Sequence, residues 1–184
     1  MSEDIDAETK LKLYMLMVSR YKELINENET RSVSEIRQRI SPYSDTVKKL
    51  SVRFTEDLQP FSYNKHFITA AQRALNYLRE IRTCKFAISF WLGFDEMDEL
   101  KLGGVMDKAL LLAALLRSFG SDKVLVKVTK KGDTYVTFPW EGKEYVFVPE
   151  SGSLLAGDDV VSLFTKDPVD YEFNDLAYEK YGEE

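Results

Sequence analysis

Apolar positions recur at helical spacing through the first half of the chain. Leu11, Leu13, Tyr14, Leu16, Met17, Tyr21 and Leu24, with Lys and Glu between them, predict an amphipathic helix over residues 7–27. A polar stretch from Asn26 to Thr30 ends it. Ser32-Val33-Ser34-Glu35 is a capping-box pattern that predicts a short helix through Ile40. Ser41-Pro42 reads as a new start, with Ser as N-cap and Pro at the first helical position, for a helix to about Phe54. After a break at Gln59-Pro60-Phe61-Ser62, the stripe Phe67, Ile68, Ala71, Ala74, Leu75, Leu78 and Ile81 predicts a helix over 65–82, with Tyr77 at the edge of the stripe. Cys84 to Leu92 is apolar and aromatic, and Phe94–Leu100 reads as one or two helical turns. A helix opens after Gly103-Gly104 and stops at Gly120.

Beyond Gly120 the period changes to two. Val124, Val126 and Val128 alternate with Leu125, Lys127 and Thr129, which predicts a strand. Lys131-Gly132-Asp133 is a turn, Tyr135, Thr137 and Pro139 mark a second strand, Glu141-Gly142-Lys143 is another turn, and Glu144–Val148 a third strand. Pro139 places that part of the second strand at an edge or an interruption, because proline cannot donate to a ladder. Val160, Val161, Leu163 and Phe164 predict a short helix, and Tyr171, Phe173 and Tyr178 are expected to pack back on the body. The fold class is therefore α+β, read as a helical N-terminal extension over 1–60 and a core domain over 61–184.

Of the 184 residues, 44 % are hydrophobic, including 11 Phe and 10 Tyr, enough for a substantial core and too apolar for disorder. A net charge of -6 argues against a broad nucleic-acid face, since phosphate recognition needs clustered Lys and Arg. One cysteine, Cys84, allows no internal disulfide and suits a cytoplasmic setting. The start, Met1-Ser2-Glu3-Asp4, lacks a signal-peptide layout. The longest apolar run, Ala109–Leu116, falls short of the roughly 20 residues that span a membrane.

The block Gly103-Gly104-Val105-Met106-Asp107-Lys108-Ala109, continuing through an apolar helix to Leu115-Leu116-Arg117-Ser118-Phe119-Gly120, is the most specific feature of the chain. It resembles the nucleophile helix of the transglutaminase-like superfamily, of the papain-like fold, whose archaeal and bacterial members read Gly-Asp-Cys-x-Asp-Lys/Phe-Ala before such a helix. Trp91 and the acidic segment with Glu96 and Glu99 resemble the family's approach to that helix, and the resemblance covers residues 65–180. It implies a helix packed on an antiparallel sheet. It also implies a Cys at the helix N-terminus, a His opening the second strand and an acidic residue on the third, since a thiolate at a helix dipole needs a base and an orienting group. In this chain the Cys slot holds Val105, the His slot Asp133 (or Thr134 in a register shifted by one), and the acidic slot falls at Pro149-Glu150.

The expectation that follows is a domain without catalysis. Cys84 and the lone His66 are the remaining thiol and imidazole, on segments the family uses for packing. No spacing of His, Cys or carboxylates suggests a metal, and no cofactor is expected. Trp91, Gly103, Gly104, Asp107 and Tyr135 are the residues expected around the family cleft. The two glycines read as small residues where the chain passes Trp91, or as an anion-binding turn, and Asp107 as a partner for the helix dipole. Lys48, Lys49 and Arg53, and Lys127, Lys130 and Lys131, read as solvated faces. Trp140 and Tyr145 are read either as partner contacts or as cross-strand packing. The N-terminal helix is expected to cover the back of the core helix, or else to dimerise or dock. Family members that have lost the triad occur among DNA-repair damage sensors and protein-assembly factors, which is analogy alone; the acidic charge favours another protein as partner over nucleic acid, with no membrane. The alternative is an enzyme of the same class acting on amide bonds through other residues.

Overall fold

The structure is a computed structural model that describes residues 6–29, 31–86, 88 and 90–182. Its architecture is α+β. Helices α1 (Ala7–Glu29), α2 (Val33–Gln38), α3 (Asp45–Thr55) and α4 (Tyr63–Glu80) come first, with a single 3-10 turn at Glu56–Leu58. A two-residue strand β1 (Arg82–Thr83), helix α5 (Phe94–Leu100) and strand β2 (Leu102–Gly103) lead into α6 (Val105–Ser118). Strands β3 (Leu125–Thr129), β4 (Thr134–Trp140), β5 (Lys143–Val148) and β6 (Ser153–Ala156) follow, then α7 (Asp158–Lys166), β7 (Val169–Phe173) and β8 (Tyr178–Lys180). Strands β3 to β8 form one antiparallel sheet in the order β6-β5-β4-β3-β7-β8.

The core is built around α6. Every residue from Ala109 to Leu116 is completely buried, as a helix that is apolar on all sides must be. Helices α3 and α4 pack on it from one side and strands β3 and β4 from the other. Phe67, Ala71, Ala74 and Leu78 of α4 and Val126, Val136, Phe138 and Phe147 of the sheet are fully buried against it. Ile36, Val47, Leu50 and Phe54 belong to the same core, so the packing runs continuously across residue 60. Gly120, with φ +95°, ends the helix in the left-handed conformation that glycine adopts freely. The outer face of the sheet carries a smaller cluster in which Tyr135, Val146 and Val160 pack with Leu163 and Phe164 of α7. There Tyr135 meets Phe164 edge to face, with ring centroids 5.8 Å apart.

Several expectations change. The third helix begins at Asp45, not at Pro42: Ser41–Ser44 is a turn, and the Val47 N–H donates to the Ser44 hydroxyl at 3.4 Å. The later start aims Val47, Leu50 and Phe54 at the core together. Tyr77 is buried rather than at the edge of its stripe, and its hydroxyl donates to Asp98 at 2.6 Å. Strand β4 lies inside the sheet. Its ladder with β3 ends at Thr137, however, so Pro139 stands where β4 has only β5 beside it. The tail does more than pack back: β7 pairs along β3, with Lys127 opposite Glu172. Phe173 is buried there, whereas Tyr178 stays 42 % exposed.

The largest change concerns α1. Its side chains do not cover the core helix; Leu11, Tyr14, Met15 and Leu16 are each more than half exposed. Trp140 and Tyr145, in contrast, pack inward. Trp140 lies 5.1 Å from the Phe67 ring, and Tyr145 stacks on Phe138 at 5.5 Å. Lys127 is not part of a solvated basic face either. It is 15 % exposed, with Glu144 and Glu172 each 3.4 Å from its ammonium.

Leu112→Ala leaves a void at a fully buried position of α6. We expect a loss of about 2–5 kcal/mol in unfolding free energy, measured by urea denaturation, whereas Val52→Ala on the exposed side of α3 costs well under about 1 kcal/mol.

Candidate functional site

The site is organised by the N-terminal end of α6. Gly103 ends β2, which pairs in parallel with β1, and the Cys84 N–H donates to the Gly103 carbonyl at 2.9 Å. Gly104 is the N-cap and Val105 the first helical residue. A side chain at Gly103 would meet Met97 Cε at 2.9 Å, and one at Gly104 would meet Asp107 Oδ2 at 3.0 Å with Phe86 behind it. A side chain at either glycine would thus press on the movable ends of Met97 and Asp107, and Trp91 is not among the nearest neighbours of either.

Asp107 closes the first turn of α6. Its Oδ2 accepts the Gly104 N–H at 3.0 Å, while Oδ1 is buried with no hydrogen-bond partner among the described residues. Burial pushes its carboxyl above the ordinary carboxylate value; the Gly104 hydrogen bond, the charge of Arg39 and the nearby Leu92 backbone, too poorly aligned to count as a hydrogen bond, pull the other way without overcoming it. Arg39, which follows α2, lies over the Trp91 ring at 5.3 Å and donates to the Leu92 carbonyl. Lys108 is only 2 % exposed and points away from Asp107, donating to the Ile81 carbonyl and the Thr83 hydroxyl, both at 3.0 Å. Burial lowers its pKa. Thr83 donates in turn to the Glu150 carbonyl at 3.2 Å, so Lys108 ties the start of α6 to β1 and to the turn between β5 and β6. Arg39 and Lys108 escaped sequence reasoning. Arg39 is remote in sequence, and nothing in the chain marks it; Lys108 stands in the motif, but its burial is set by tertiary packing.

Two cavities meet at Val105 and Met106. One, of about 460 Å³, is lined by Lys85, Val105, Met106, Asp133, Thr134, Tyr135, Val148 and Glu150. All three expected triad slots, Val105, Asp133 and Glu150, thus open onto one cleft, with Tyr135 beside them. The other, of about 380 Å³, is lined by Cys84, Phe86, Phe90, Trp91, Gly104, Val105 and Asp107 among others. Asp133 and Glu150 are exposed; the Glu150 carboxylate lies 3.6 Å from the Lys85 ammonium. His66 is not near Cys84. It accepts the Ser62 N–H through Nδ1 at 3.1 Å and packs on Phe61, which contacts Phe119 just beyond the far end of α6. The helix between them is about 20 Å long. Among the described residues, no three His, Cys, Asp or Glu side chains are grouped to hold a metal, and no helix is long and apolar enough to cross a membrane.

No family model, curated protein or solved structure matches this chain.

Asp107 makes stability depend on pH with a definite sign. Its folded-state pKa is raised, so above the ordinary value of 3.8 the unfolded chain ionises where the folded chain resists. Wild-type stability should therefore fall relative to Asp107→Asn as the pH rises from 3.8 through the folded-state pKa. Urea midpoints for both proteins at pH 4 and pH 7 check this; a difference that does not change with pH refutes it.

Proposed function

We propose that this chain is a non-catalytic domain of the transglutaminase-like class, and that it binds another protein in the cleft at the N-terminal end of α6. The observation that supports this reading is that Val105, Asp133 and Glu150, the residues the sequence resemblance aligns with nucleophile, base and orienting acid, line one cleft. Valine cannot ionise, so no covalent route starts from that slot. What remains suits recognition. Val105, Met106, Tyr135 and Val148 supply apolar surface, and Lys85, Asp133 and Glu150 supply charge around it, the composition of a small interface with a polar rim. The resemblance rests on the Gly103–Gly120 block and on the order of helix and antiparallel strands. The net charge of -6 favours a protein partner over nucleic acid.

One observation favours the alternative of an enzyme acting on amide bonds: Cys84 lines the adjoining cavity together with Val105 and the buried carboxyl of Asp107. The two readings separate in one assay. Wild type, Cys84→Ser and a Val105→Cys, Asp133→His double variant are incubated with a glutamine-rich acceptor and an amine donor. We expect no ammonia release or amine incorporation from the wild type. Wild-type turnover that Cys84→Ser abolishes sinks the non-catalytic reading. The binding half is checked with a photo-crosslinking residue at Met106, which should trap a discrete polypeptide that the same residue at exposed Val52 does not.

A further inference from the structure

Helix α1 carries more exposed apolar surface than a solvated helix tolerates. Leu11, Tyr14, Met17, Val18, Tyr21 and Leu24 are between 38 % and 59 % exposed. At 3.6 residues per turn, these six positions lie within an arc of about 140°, and Leu13, Met15 and Leu16 widen it to about 260°, well beyond the stripe of a helix with one buried face. Leu13, Met15 and Leu16 are likewise between 45 % and 64 % exposed, so the helix presents a contiguous apolar patch of the kind that marks an interaction surface.

The charges of the helix indicate what covers that surface. The first half carries Lys10 and Lys12 against Glu8, a net charge of +1; the second carries Arg20 and Lys22 against Glu23, Glu27 and Glu29, a net charge of -1. A second copy laid antiparallel sets each basic half against an acidic half and opposes the two helix dipoles. A parallel pair would stack like halves. An anionic lipid surface gains little, because the four cations and four anions of the helix cancel and the whole chain is at -6. The same patch on both subunits is what a two-fold interface requires.

We propose that α1 is a homodimerisation element that pairs antiparallel with α1 of a second copy, leaving the α6 cleft of each copy free. This inference stands apart from the reading of the cleft.

Light scattering coupled to size exclusion tests it on the full chain, from about 10 to 200 µM. The expected mass is twice that of the 21.3 kDa chain. Val18→Glu combined with Tyr21→Glu should weaken association by roughly a hundredfold or more, because it buries carboxylates in an apolar seam. The thermal unfolding midpoint of a dilute monomeric sample should not change, which shows that the body remains folded. In a Cys84→Ser background, Leu11→Cys mixed with Ile25→Cys should form an intermolecular disulfide, and Leu11→Cys alone should not. Wild type that stays monomeric across the range, a dimer that survives the double Glu variant, self-crosslinking of Leu11→Cys, or a monomer that sediments with phosphatidylserine vesicles would each overturn the proposal.

Discussion

Complete burial of α6 governs how the other elements are arranged. From Ala109 to Leu116, α6 has no polar side chain and no exposed atom of consequence, so it must be enclosed on every side. Helices α3 and α4 enclose one side, and the sheet the other. At about 25 cal/mol per Å² of apolar surface removed from water, that enclosure is the dominant favourable contribution to the fold. Because α6 has no solvated face, each element around it is constrained in position, and the ends of α6 are the only places where its polar groups reach other chemistry.

At the N-terminal end, two consecutive ionisable residues are buried and point apart. Asp107 turns back to cap its own helix beneath Arg39, and Lys108 reaches across to β1. Neither is in a close salt bridge among the described residues, and burial raises the pKa of Asp107 and lowers that of Lys108. Lys108 holds Ile81 and Thr83, and through Thr83 the turn that carries Glu150. The walls of the cleft are thus positioned by groups the solvent does not reach. The side chains of Val105, Asp133 and Glu150 line the cleft and take no part in that network.

Local signals were legible where local physics decides. The capping box at Ser32 and Glu35, the stop at Gly120, the alternation of Val124, Val126 and Val128, and the short helix at Val160–Phe164 each follow from a few neighbouring residues, and each stands in the structure. The start of α3 was not legible: Ser41-Pro42 has the residues of a helix start, but the structure caps the helix at Ser44, a start that buries Val47 and Leu50. The strand character of Val169–Phe173 was hidden for a related reason: its alternation is weak, and it becomes a strand by pairing with β3, whose nearest partner residues lie about 40 positions earlier in the chain. Lys127 read as a surface charge because its two carboxylate partners arrive from other strands.

Short segments are enough to fix the helix-then-sheet order, the buried helix, the glycines that open and close it and Val105 at its first position, since periodicity, capping and side-chain chemistry are local properties. Which side chains meet depends on packing between distant segments. It brought Val105, Asp133 and Glu150 to one cleft, set His66 and Cys84 toward opposite ends of α6, placed Arg39 over Trp91, drew Trp140 and Tyr145 into packing, and left α1 uncovered. Contacts between distant residues depend on how the faces of many elements fill space together, and no segment encodes that alone.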